Sequence, residues 1–143
     1  GSDCPFFVQT VPSLVTGRGE KVQPLDFALP LYGWWVVVVN PGIHISTAEA
    51  FSGVEPNPET VDWNRLATLP VASWSTFLRN DFEKGAVERH PSIGTCLTSL
   101  RAHGAAYVQM TGSGSTVFGL YEEESMARTA ALKLGAQHVG ALN

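Results

Sequence analysis

Residues 34–40 read WWVVVVN, and no other stretch restricts the fold as tightly. Four consecutive valines are stiff at χ1 and favour extended backbone. A strand with one wet face alternates apolar and polar residues. This run does not alternate, so the spacing predicts a strand buried on both faces, covered by helices or by another domain. The run is far short of the roughly 20 apolar residues that span a bilayer, so no membrane partner is expected. Asn40-Pro41-Gly42 ends it in a turn.

The residues around this strand supply its layers. Ser2 and Pro5 predict a short helix start over residues 2–9. The β-leaning runs either side of Gly17-Arg18-Gly19 predict a hairpin. LDFALPLYG, with Pro24, Pro30 and Gly33 as punctuation, reads as a linker. Downstream, Ser46 to Glu49 has the form of a capping box, which starts a helix at Thr47. Leu66, Leu69, Trp74, Phe77, Leu78 and Phe82 suit helices between Trp63 and Glu88. Pro91 precedes a helix over about residues 92–103, closed by Gly104 at the C′ position. AAYVQM and STVFGLY are strands joined by TGSG, EEESMARTAALKLGA is a helix, and a short strand lies near Val139. The order is strand, helices, strand, strand, helix, strand. The expected class is α+β, a split βαβ of ferredoxin-like kind with helices on one face of a mostly antiparallel sheet.

Charge and cysteine usage narrow the chemistry. A net charge of −4 argues against nucleic acid as a partner, because phosphodiester binding needs a basic surface. Cys4 and Cys96 lie far apart and match no zinc spacing. A reduced, cytoplasmic setting is expected. His44, His90, His103 and His138 show no ligand spacing, so no metal site is expected.

Three features carry candidate chemistry. MTGSGSTVF places two glycines and two serines between β runs. It reads either as an anion-binding loop or as a hairpin with glycine turn chemistry. Thr47 and Phe51 stand four residues apart, on one face of one helix. A ring and a hydroxyl there could hold a flat heterocycle, or Phe51 could belong to the core. Asp3, at a helix start, is favoured in its ionised form and could accept a proton or orient a hydroxyl. It could equally be a helix-start carboxylate with no role.

Taken in order, GSDCPFF, GRGE, NPGIHISTAEAF, NDFE and MTGSGSTVFG resemble the GHMP kinases over essentially the whole chain. Gly1-Ser2-Asp3 fits the family's G-[AS]-D-x-P segment. The resemblance implies an ATP-dependent small-molecule kinase using Mg²⁺, acting on a hydroxyl of a cytidine-diphosphate-bearing methylerythritol in non-mevalonate isoprenoid synthesis. It implies that Asp3 is catalytic, that Thr47 and Phe51 lie around the cytosine, and that Thr111, Gly112, Ser113, Gly114 and Ser115 support the phosphate-binding loop. Asn80 to Glu83 are read as structural. It implies further that residues 1–30 complete an N-terminal kinase domain and that 31–143 form the C-terminal domain. The ATP-binding loop and catalytic lysine are expected in an N-terminal half, so this chain alone is expected to be inactive, and either to self-associate through its exposed hairpin or to have a flexible N-terminal stretch. The rival readings are a mevalonate- or homoserine-type member of the same family, and a non-enzymatic ferredoxin-like ligand-binding module.

Overall fold

The computed structural model describes residues 4–8, 10–54 and 61–143. A short helix, α1 (Cys4–Val8), leads into a hairpin of β1 (Ser13–Thr16) and β2 (Lys21–Pro24). The hairpin turns through residues 17–20 around Gly17 and Gly19, both at positive φ. Val8 and Phe7 are about four-fifths exposed, and Val11 and Val15 are exposed too. The main sheet has four strands in the order β4 (Tyr107–Met110), β5 (Val117–Tyr121), β3 (Trp35–Val39), β6 (His138–Ala141), every neighbour antiparallel. Because β3 pairs antiparallel with both β5 and β6, β3 runs parallel to β4, and β5 parallel to β6. These are two interleaved split βαβ units, the topology expected from the order of elements.

The doubly apolar β3 has its two layers. Val37 and Val39 face α4 (Asp81–Arg89), α5 (Pro91–Ala102) and α6 (Glu124–Leu134), sharing a core with Ile93, Leu100, Val117 and Ala130. α5 opens on Pro91 itself, one residue earlier than expected. It ends in a Schellman motif, with Gly104 N–H on the Arg101 carbonyl and Ala105 N–H on the Leu100 carbonyl. The longer helices therefore lie on one face, as expected. The opposite face, which the sequence reading left without a layer, carries a second cluster: Val36, Tyr107 and Leu120 pack under Leu66 of α3 (Arg65–Thr68) and Val71 and Trp74 of a 3₁₀ segment (Val71–Thr76). Phe27, Leu29 and Leu31 join it. The stretch read as a linker is thus part of the sheet's cover.

Candidate functional site

Of the residues singled out in the sequence, α2 and the glycine loop lie at one end of the sheet, beyond the C-terminal end of β3. Asn40 closes that strand in an Asx turn, its Oδ1 accepting from Gly42 N–H at 2.7 Å, and its Nδ2 donates to Thr116 Oγ1 at 3.0 Å. The chain then passes the glycine loop, where the Ser115 hydroxyl donates to the Ile43 carbonyl at 2.5 Å. Ser115 is the one buried residue of the loop. Ile45 is buried, and Ser46 caps α2 (Thr47–Phe51) by accepting from Glu49 N–H at 3.1 Å.

Within the loop, Thr111 N–H bonds the Thr116 carbonyl and Gly114 N–H the Thr111 carbonyl. Gly114 sits at φ +96°, and a Cβ there would lie 2.9 Å from Met110 Sδ. Two of the loop's amides are thus spent internally and one hydroxyl faces inward. NDFE holds the loop from the other side. Asn80 Nδ2 donates to the Met110 carbonyl at 2.8 Å and the Gly112 carbonyl at 2.7 Å, while its Oδ1 caps α4 through Phe82 N–H at 3.0 Å. One turn on, Glu83 Oε2 accepts from Met110 N–H at 2.7 Å. The contacts of this segment are hydrogen bonds to backbone. What the sequence did not show is that its target is the glycine loop.

Phe51 is 62% exposed, so the core reading of this ring does not hold. Its ring meets Phe82 edge-on, with centroids 4.9 Å apart and planes at 79°. An edge contact leaves a face of the ring open for stacking. Thr47 stands exposed one turn earlier on α2. The expected capping box is present, with Ser46 Oγ accepting from Glu49 N–H and the Glu49 carboxylate turned back to the Ser46 backbone. The same carboxylate also accepts from His90 Nε2 at 2.8 Å and lies 3.5 Å from Arg89 Nε. The His90 hydrogen bond holds its carboxyl below the ordinary glutamate range. A lowered value in the folded state means that this tie is in place above the ordinary glutamate pKa and is lost as the pH falls through the lowered one.

Asp3 lies outside the described residues. Among the described residues no group of three or more His, Cys, Asp or Glu side chains is placed to hold a metal ion, so they offer no ready cage for Mg²⁺. A separate open groove of about 980 Å³ runs along the outer edge of β4, lined among others by Lys84, Thr98, Arg101, Tyr107 and Gln109. Neither α2 nor the glycine loop contributes to it.

The family model described as "GHMP kinases C terminal" matches residues 62–140. A 4-diphosphocytidyl-2-C-methyl-D-erythritol kinase of Parabacteroides distasonis is 40% identical over 123 residues, which are 86% of this chain and 45% of that protein. The Geobacter sp. protein of the same name is 39% identical over 137 residues, 94% of this chain and 47% of its own length. A crystal structure of 4-(cytidine 5'-diphospho)-2C-methyl-D-erythritol kinase superposes with a TM-score of 0.80 at 29% identity, covering 99% of this chain and 52% of that one. A homoserine kinase from Cytophaga hutchinsonii, at 16% identity and a TM-score of 0.53, shares the fold. The chain spans about half the length of the curated relatives it matches.

Proposed function

This chain belongs to the GHMP kinases through their C-terminal domain, and on that premise we propose that it is the C-terminal half of a 4-diphosphocytidyl-2-C-methyl-D-erythritol kinase. The complete enzyme moves the γ-phosphoryl group of ATP, with Mg²⁺, to a substrate hydroxyl. The hydroxyl oxygen bonds to phosphorus, the bond to the ADP oxygen breaks, and the hydroxyl proton passes to Asp3. Phosphoryl transfer is mostly positioning and charge stabilisation. In this reading residues 1–30 complete the N-terminal domain, which carries the ATP-binding loop, and the glycine loop Thr111–Ser115 braces that loop. Thr47 and Phe51 receive the cytosine. The work is cytoplasmic, and the exposed apolar residues of α1 and the hairpin are where the rest of the enzyme, or a second copy of this chain, packs. The observation that carries the reading is the Phe51 ring, exposed yet held edge-on by Phe82.

Two measurements on the full-length kinase test it. Phe51→Ala is expected to weaken binding of the cytidyl substrate by about 1–3 kcal/mol, the scale of a lost base–aromatic stack, and to leave ATP affinity almost unchanged. Calorimetric titrations showing both ligands weakened equally would give the ring a structural role instead. Asp3→Asn is expected to keep substrate affinity within a few-fold while cutting turnover roughly 10²-fold or more, the scale of a lost acid–base group. Steady-state kinetics with unchanged turnover would remove Asp3 from the mechanism.

A further inference from the structure

α4 touches both halves of the site. Its N-terminal end holds the glycine loop through Asn80 and Glu83. Its C-terminal end holds α2. His90 Nε2 donates to Glu49 Oε1 at 2.8 Å, Arg89 Nε lies 3.5 Å from the same oxygen, and Arg89 Nη2 donates to the Glu49 backbone carbonyl at 3.4 Å. The Arg89 guanidinium lies close over two glycines: a Cβ at Gly53 would stand 2.9 Å from Nη1, and one at Gly85 3.2 Å from it. An isolated surface ion pair is worth little. Here one carboxylate and one carbonyl of a five-residue helix are gripped by two consecutive side chains, and that helix carries Phe51. Nine residues of α4 separate the two grips by roughly 13 Å at the α-helical rise.

We propose that α4 is a strut and that Glu49 with Arg89 and His90 are positioning residues, setting the Phe51 ring at a fixed distance from the glycine loop. The proposal rests on the reading of Phe51 as the base-stacking ring, and its test separates the two. In this chain, Glu49→Ala and His90→Ala are each expected to raise hydrogen exchange at the Ala50 and Ser52 amides, which close α2, about two- to fivefold, the range of a partly exposed charged pair. The urea midpoint should fall by no more than the same small energy. The double variant should exceed neither single one, and His90→Gln, which keeps a donor, should restore the parent rate. Unchanged exchange in both alanine variants, or a urea midpoint falling by much more than that energy, would overturn the strut. Cytidine 5'-diphosphate titrated into the parent reports on the stacking reading alone: a Phe51 ring signal that does not respond counts against the base site and leaves the exchange result to decide the strut. Where it does respond, Glu49→Ala should weaken the titration two- to fivefold, and an unchanged affinity would refute positioning.

Discussion

Asn80→Asp is expected to destabilise the chain by about 1–3 kcal/mol, the scale of the part-buried bond to Met110, measured by urea unfolding at neutral pH. The substitution is nearly isosteric and keeps Oδ1, so the α4 cap on Phe82 N–H survives. What changes is the other arm. An amide that donates to the Met110 and Gly112 carbonyls at 2.8 and 2.7 Å becomes an oxygen facing two oxygens. Each carbonyl left without its donor costs about 1–3 kcal/mol where water cannot replace the bond. The new carboxyl is disfavoured in its charged form, so its pKa in the folded state is raised. The deficit is therefore largest above the ordinary aspartate range and shrinks as the pH falls through the raised value, where a proton restores one donor. A deficit independent of pH would mean that the loop is held by its own two backbone bonds rather than by Asn80.

Leu100→Ala is expected to cost about 2–5 kcal/mol, the usual range for truncating a fully buried leucine. Leu100 is 0% exposed on α5 and rests on β5 at Gly119, where a Cβ would stand 3.4 Å from Leu100 Cδ2. Its carbonyl accepts from the Tyr121 hydroxyl at 3.2 Å. Burial pushes that phenol up to about 12, which keeps the proton in place at neutral pH. The substitution leaves this bond intact, so the loss reports on packing alone. A loss under about 1 kcal/mol would mean that the helix layer closes over the cavity.

The strand core was legible because four adjacent valines permit only one kind of surroundings. The second layer was not, although a signal was present. Leu25, Phe27, Leu29 and Leu31 alternate with period two, but Pro24, Pro30 and Gly33 made the stretch read as a connector. Phe51 was legible as a candidate from its spacing to Thr47, and whether it was core or surface needed the packing of α4. The two carboxylates were the hardest to place. Glu49 follows its N-cap by three residues, as does Glu83, and local rules send such a side chain back to the cap. Glu49 also reaches His90, 41 residues on, and Glu83 reaches Met110, 27 residues on. Long-range partners of this kind leave no periodic trace. Asp3, read from motif resemblance, is a proposal about chemistry and not about geometry.

The position of β3 in the sheet has a consequence for how the chain is made. Its partners are β5 and β6, and β5 begins at Val117, 78 residues after β3 ends at Val39. At roughly 5–20 residues per second of synthesis, the most apolar strand waits about 4–16 s on the ribosome before either neighbour has been translated. During that interval WWVVVV is a bare strand of high β-propensity with no charge inside it, the kind of segment that pairs with whatever edge it meets. Within this chain, the elements that can reach it before β5 are Phe27, Leu29 and Leu31 before it and Leu66, Val71 and Trp74 after it, all of which later cover the sheet's second face. If they shield the nascent strand, substitutions there should show as lost yield in cells before they show as lost stability in solution.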